Sequence, residues 1–302
     1  MTRRRPAQEN APVEEVKGGD AAAFLVQKLR ALDEELGATI PRVLASADTE
    51  ALHDMRVAIR RLRVMLKIAR PVFGRFYADA VRAELTRVHR ATGALRDEEV
   101  LEETLAALPV RDRAFAAWRV RRKARERVLR RAVLRQLREG HLDRARELLH
   151  ALLLLPVKPS RRRGLDKLAR RCALRARREV EALRDVSPDD VAGMHALRIA
   201  YKHLRYATEI FAEKLPLDLA ALAKPAAKFQ KRLGTIHDLD VAMESVGRAR
   251  GLSPLTTARV LRALRTARAS EVAKYQREMA PALATAPPNE APPTAGGVDA
   301  GP

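Results

Sequence analysis

Residues 52–69 read LHDMRVAIRRLRVMLKIA, and residues 194–211 read MHALRIAYKHLRYATEIF. Laid over each other at an offset of 142, they match His53 with His195, Arg56 with Arg198, Arg60 with Lys202, Leu62 with Leu204 and Arg63 with Arg205. A second pair of segments follows in the same order: Gly93–Val100 (GALRDEEV) matches Gly234–Val241 (GTIHDLDV) at an offset of 141. Two blocks duplicated in one order at nearly one offset predict a tandem repeat.

On a helix, His53, Arg56, Arg60, Arg63 and Lys67 fall within about 80° of one another and make a stripe roughly 21 Å long. Met55, Ala58, Ile59, Leu62, Met65, Leu66 and Ala69 take the opposite side and are the predicted core face, while Val57, Val64 and Ile68 border the stripe. The second copy repeats this. His195, Arg198, Lys202 and Arg205 form its stripe, Leu197, Tyr201 and Leu204 its core face, and Ile199, Tyr206 and Ile210 its flank, with Glu209 in place of the last cation. Cations set between apolar flanks are expected to line a groove between packed helices.

Like charges three and four residues apart repel each other and need compensation. Asp97, Asp238 and Asp240 are too few to neutralise both stripes, which leaves a bound polyanion. Arginine donates paired hydrogen bonds to phosphate oxygens and lysine acts as a point charge. A protonated imidazole adds a third donor, whose pKa a polyanion would raise. Donors at regular intervals along an axis suit a linear repeating anion better than one compact phosphate.

Arg87 aligns with Lys228 and Arg90 with Lys231, with Arg82, Lys224 and Arg232 nearby, which predicts a second basic wall. Gly93 and Gly234 are expected to break or bend their helices, and Asp97 and Asp238 to cap the resumed segment or hold stripe arginines. His89, His141, His150, His203 and His237 read as surface or packing residues, His237 beside Asp238 being the best exception. The Arg-rich stretch Trp118–Arg138 reads as mainly solvated.

Composition supports this outline. The chain has 302 residues, 47% hydrophobic but only 4% aromatic, and its Leu, Ala, Arg and Glu content favours helices. Strand alternation is absent, so the fold class is all-α. Lys and Arg number 59 against 38 Asp and Glu, a net charge of +21 that draws polyanions. Cys172 is the only cysteine, which excludes a disulfide framework and a thiolate metal site. No apolar run approaches the roughly 18 residues of a membrane span, and the basic start Met1–Pro6 leads into no apolar signal core, so a cytoplasmic protein without membrane association is expected. The expected organisation is a flexible lead at 1–19, a first helical repeat at 20–155, a linker at 156–164, a second repeat at 165–280, and a disordered Pro/Ala/Gly-rich tail at 281–302.

The duplicated blocks resemble the signature of the CHAD family, the histidine-containing α-helical domains. The resemblance rests on His53–Arg63 (HDMRVAIRRLR), its copy His195–Arg205 (HALRIAYKHLR), and the Gly-x-Leu/Ile-x-Asp blocks at 93 and 234. It implies two pseudo-symmetric helical bundles around a basic central channel. It also implies inorganic polyphosphate as the ligand and, in bacteria, association with polyphosphate granules. Some relatives carry a fused triphosphate-hydrolysing β-tunnel domain. The strand-rich Glu-x-Glu-x-Lys character of that domain is absent here, so its activity is not carried over.

The expected site therefore comprises His53, Arg56, Arg60, Arg63, Lys67, Arg87, Arg90, His195, Arg198, Lys202, Arg205, Lys228 and Lys231, supported by Asp97 and Asp238. No catalytic residue, metal ligand or cofactor is assigned. Two alternatives stay open. A metal-dependent phosphohydrolase would use His53, His195, Asp97, Asp238 and Asp240, but cationic stripes repel a metal that the substrate does not bring. Weak nonspecific nucleic-acid binding would suit the charge, yet few aromatics interleave the basic runs and no helix-turn-helix or zinc-finger spacing occurs.

Overall fold

The computed structural model describes residues 21–45, 48, 50–156 and 164–284, with side chains through 279. The expected lead, all but the ends of the linker, and the tail beyond 284 lie outside the described residues. Every long regular element within them is an α-helix, as predicted. In order they are α1 (Ala21–Leu44), α2 (Ala51–Phe73), α3 (Arg75–Ala91), α4 (Gly93–Ala106), α5 (Arg113–Arg138), α6 (His141–Leu154), α7 (Leu165–Glu181), α8 (Val191–Ile210), α9 (Leu217–Ala220), α10 (Ala223–Gly247) and α11 (Pro254–Ala284). α11 thus continues past position 280, where the second repeat was expected to end.

The sequence offsets carry helix onto helix. α8 falls on α2, α10 on α3 plus α4, and α11 on α5. The neighbours recur as well: α1 packs on α2 and α7 on α8, α2 on α3 and α8 on α10, α4 on α5 and α10 on α11. One expectation is corrected at the glycines. Gly93 does open α4 after a break at Thr92, but Gly234 lies inside an uninterrupted α10. The difference sits one residue earlier. Thr92 is a buried hydroxyl that donates to the His89 carbonyl at 3.0 Å, whereas its counterpart Leu233 is 1% exposed core that continues the helix.

The predicted core face of α2 is buried throughout, Met55, Ala58, Ile59, Leu62, Met65, Leu66 and Ala69 each being at most 3% exposed. In the second half Leu197, Tyr201 and Leu204 pack with Phe229, Leu233 and Ile236 of α10 and Tyr275 of α11. A third cluster joins the halves: Leu101 and Leu105 of α4 and Phe115 and Trp118 of α5 meet Leu239, Ala242 and Val246 of α10 and Val260 and Leu264 of α11. Leu165, Leu168 and Ala169 of α7 share the first half's core. The sequence halves are therefore interlocked, and α2 and α8 are held in fixed relation to α4 and α10.

Ion pairs fasten several of these contacts, and they add a paired face to the mainly solvated α5. Arg121, Arg127, Arg131, Arg135 and Arg138 are exposed, as expected, but the face toward α4 is paired. Arg119 meets Glu102 at 2.6 Å, Arg122 and Arg125 meet Glu98 at 2.7 and 3.1 Å, and Arg130 meets Glu99 at 2.8 Å. The short-chain contact between α1 and α6 works the same way. Buried Asp33 accepts from Arg146 at 2.8 and 2.9 Å and lies 2.7 Å from His150, and Gly37 leaves room for the guanidinium.

Removing one partner of a buried pair strands the other charge, whereas an exposed pair contributes little. Glu98, only 7% exposed, serves two arginines. Glu98→Gln should lower stability in denaturant unfolding by about 2–3 kcal/mol. Glu244→Gln, which removes an exposed pair with Arg248, should cost less than about 0.5 kcal/mol. Equal effects would mean that the α4–α5 pairs do not hold the two helices together.

Candidate functional site

Helices α2, α4, α8, α10 and α11 enclose a cleft of about 1350 Å³. Both stripes reach it. His53, Arg56 and Arg60 enter from α2 and Arg198 from α8, while Asp97, Lys231 and Asp238 come from α4 and α10. The same core packing that buries Met55, Ile59 and Leu62 on one side of α2 aims these cations to the other.

The cations crowd one another. Burial, then the neighbouring Arg60, pushes Arg56 down to about 10. Burial pushes Lys202 down to about 8, reinforced by Arg60, Arg198 and Arg63 from both stripes. Arg63 is lowered by burial and then by Arg82, Arg60 and Arg90, and Arg198 by burial against the opposing pull of Asp238.

Their hydrogen bonding is neutral or incomplete. Arg56 Nη1 donates to the Thr92 hydroxyl at 2.6 Å and the His89 carbonyl at 2.8 Å, and Arg60 Nη1 lies 3.4 Å from the Tyr206 hydroxyl. Among the described residues, none of Arg56, Arg60, Arg63, Arg198 and Lys202 forms an ion pair with a carboxylate. Arg63 Nε, Arg198 Nε and His89 Nε2 are buried without a hydrogen-bond partner. Desolvated cations and orphaned polar atoms are costly unless something supplies the missing partner.

The histidines carry lowered pKa values in the ligand-free protein. Burial and the adjacent Arg96 lower His53, and burial with Arg198 and Lys202 lowers His195. The free protein holds these imidazoles neutral at pH 7, because the cations that would recruit an anion disfavour further positive charge. Two further histidines belong here: His237, the expected exception, and His89, read as a surface or packing residue. His237 lines the cleft, its Nδ1 lies 3.3 Å from His195 Nδ1, and it is pushed down to about 4 by burial and Arg198. His89 is pushed down to about 3 by burial and then by Arg56, Arg60, Arg63 and Lys202.

The expected second wall is built differently. Arg87 is exposed and turned to Glu84 on its own helix at 2.6 Å, and exposed Lys228 pairs with Glu278 at 3.6 Å. Arg90 is exposed and reaches the cluster only through its repulsion of Arg63. Lys67 is exposed beyond the cleft, and Arg205 is tied to Glu209 at 2.6 Å and Gln230 at 3.3 Å. Arg96, Arg259 and Arg262 line the cleft in their place, together with Lys231. The sequence did hold a signal for part of this: Arg82, His89 and Arg96 recur every seven residues, which keeps them on one side of the α3–α4 rod.

The carboxylates also differ from expectation. Asp97 is exposed and Asp238 is half-buried, and neither caps a helix nor hydrogen-bonds a stripe arginine. Burial raises Asp238 despite the nearby Arg198. Asp240 takes the structural part, accepting from Arg268 at 2.5 Å and so fixing α11 to α10. Among the described residues no group of three or more His, Cys, Asp and Glu is placed to hold a metal ion, and no helix is long and apolar enough to cross a membrane.

Residues 23–247 match the CHAD domain family. The chain belongs to that family. Two solved structures share the fold: the CHAD domain from the plant Ricinus communis, with TM-score 0.62 and 24% identity over 88% of this chain and 89% of that one, and PptA from Streptomyces chartreusis, with TM-score 0.61 and 19% identity over 88% of this chain and 100% of that one. No curated protein matches the sequence significantly. The family match ends at Gly247, so Arg259 and Arg262 on α11 are contributed from outside the matched residues of this CHAD protein.

The neutral histidines fix a pH dependence. A histidine whose folded pKa lies below its unfolded value binds fewer protons in the native state, so stability is lost as pH falls from about 6.5 toward the folded value. For His89 that window runs from 6.5 to about 3. The ligand-free protein should melt at a lower temperature at pH 5 than at pH 7.5. His89→Gln, which installs the residue found at the matching position 230, should shrink that difference. An unchanged difference would mean that His89 does not resist protonation in the fold.

Proposed function

We propose that the cleft binds inorganic polyphosphate and that the protein is a binding module rather than an enzyme. The observation that supports this most directly is the convergence of Arg56, Arg60 and Arg63 from α2 with Arg198 and Lys202 from α8, none ion-paired to a carboxylate. A string of phosphates offers the distributed negative charge that such a row lacks. The arginines donate to successive phosphate oxygens, Lys202 adds a mobile charge, and His53 and His195 at the head of each stripe take up protons as the anion arrives. Binding releases counterions, so affinity falls steeply as salt rises. Association with polyphosphate granules follows from the family resemblance and is part of the same reading.

Arg60→Gln combined with Lys202→Gln tests the site without touching the Thr92 contact of Arg56. Each lost charge-assisted contact is worth about 1.5–3 kcal/mol, so affinity for polyphosphate should drop at least about a hundredfold. The slope of affinity against salt should become shallower. The ligand-free variant should at the same time melt higher by roughly 2–6 °C, because repelling cations have been removed. Unchanged affinity would sink the assignment, and phosphate release from polyphosphate by the wild-type protein would make it an enzyme. Duplex DNA at matched charge should compete poorly.

A further inference from the structure

α7 carries a second set of uncompensated cations, away from the cleft. Its core side holds Leu165, Leu168, Ala169, Ala173, Ala176 and Val180, which pack toward α1 and α8. The opposite side exposes Lys167, Arg170, Arg171, Arg175 and Arg178. These five fall within about 140° on the helix and extend roughly 16 Å along it. A shallow groove of about 420 Å³ runs among them. α8 contributes Arg198 to the cleft from one side, with Lys202 behind it near Arg60, and meets α7 through another, where His203 lies 2.8 Å from Glu179. The basic face of α7 therefore points away from the cleft.

This face is unlike the other basic helix of the protein. On α5 the arginines facing α4 each find a glutamate. On this face of α7 Arg175 pairs with Glu179 at 3.4 Å, and beside it Arg177 pairs with Glu181 at 2.7 Å, while Lys167, Arg170, Arg171 and Arg178 form no ion pair among the described residues. Lys167, Arg171 and Arg175 follow each other at four-residue intervals, a spacing that repels. α1, the helix that precedes the first stripe, is covered by α6 through the Asp33–Arg146 contact. No helix among the described residues covers α7 in that way.

We infer that the outer face of α7 is a second polyphosphate-docking surface, separate from the cleft, through which one molecule bridges two stretches of a long chain. This rests on the polyphosphate reading of the cleft. The chemistry favours that ligand over other polyanions. The cations form one band, about 16 Å long, on a single helix, a surface matched to one chain of phosphates rather than to the two strands of a duplex. No aromatic side chain on the face offers a base something to stack on. Leu174, the one apolar residue among the cations, is half-buried, so nothing inserts into a bilayer. Two sites on one polymer raise affinity through effective concentration, and two sites on different polymers crosslink them.

The test uses the full chain carrying Lys167→Glu, Arg171→Glu and Arg178→Glu. A control carries Arg127→Glu, Arg131→Glu and Arg138→Glu, an identical change in net charge placed on exposed positions of α5. Calorimetry with inorganic tripolyphosphate reads the cleft alone, and light scattering with long-chain polyphosphate reads bridging. Tripolyphosphate affinity should stay within about twofold of wild type in both variants, while the α7 variant should lose scattering and at least about tenfold in long-chain affinity. The control should keep both. The milder pair Lys167→Gln and Arg178→Gln should weaken scattering in the same direction, which covers a triple variant that fails to fold. Equal losses in the two triple variants, or scattering undiminished in the α7 variant, would overturn the proposal. So would loss of duplex DNA binding with bridging intact. A wild-type protein that ignores tripolyphosphate would instead sink the reading of the cleft.

Discussion

The structure depends on apolar burial forcing like charges together. The side of α2 that carries Met55, Ile59, Leu62, Met65 and Leu66 is sealed in the core, and burying each such side chain contributes about 1.5–3 kcal/mol. The helical repeat then turns Arg56, Arg60 and Arg63 away from that core, Arg56 toward His89 and Thr92, Arg60 toward Tyr206 of α8, and Arg63 toward Arg82 of α3. The depressed pKa values of Arg56 and Lys202 record the resulting cost. The core tolerates it because the cost is confined to a few side chains, while the burial that offsets it runs the length of both helices.

In a chain of charge +21, most cations could be mistaken for ligand contacts, and the structure sorts them by what lies opposite. Where a carboxylate on a neighbouring helix faces an arginine, as with Glu98 and Arg122 or Asp33 and Arg146, the charge is a fastening between elements. Where cations from two helices crowd each other, as with Arg63 and Lys202, the charge has no internal purpose and costs stability. Net charge alone cannot make this distinction, since it counts both kinds equally.

The helical class, the core faces of α2 and α8 and the convergence of their stripes were legible in the sequence, because a period of 3.6 fixes which side chains share a face once one face is apolar. The partners of those stripes were not. Arg87 and Lys228 align as well as Arg90 and Lys231 do, yet Glu84 and Glu278 capture the first pair, and only the packing angle decides which helix face meets the cleft. Arg259 and Arg262 lie far along the chain on a helix with cations on several sides, so nothing local marks them. Two of the glutamates that pair with one face of α5, Glu98 and Glu99, were equally visible in the Gly93 block, but their alignment with α5 is a tertiary fact.

The duplication is also unequal where it matters. The head of each stripe faces the same position of the other block, yet His53 has Arg96 beside it while His195 has His237. Asp97 is exposed, while Asp238 is half-buried and raised by that burial. One half thus presents a permanent guanidinium charge at this contact and the other a pair of imidazoles that stay neutral until an anion or acid protonates them. A duplicated site need not respond uniformly: at this one contact the first block carries an arginine, whereas the second carries two imidazoles whose charge depends on what lies beside them.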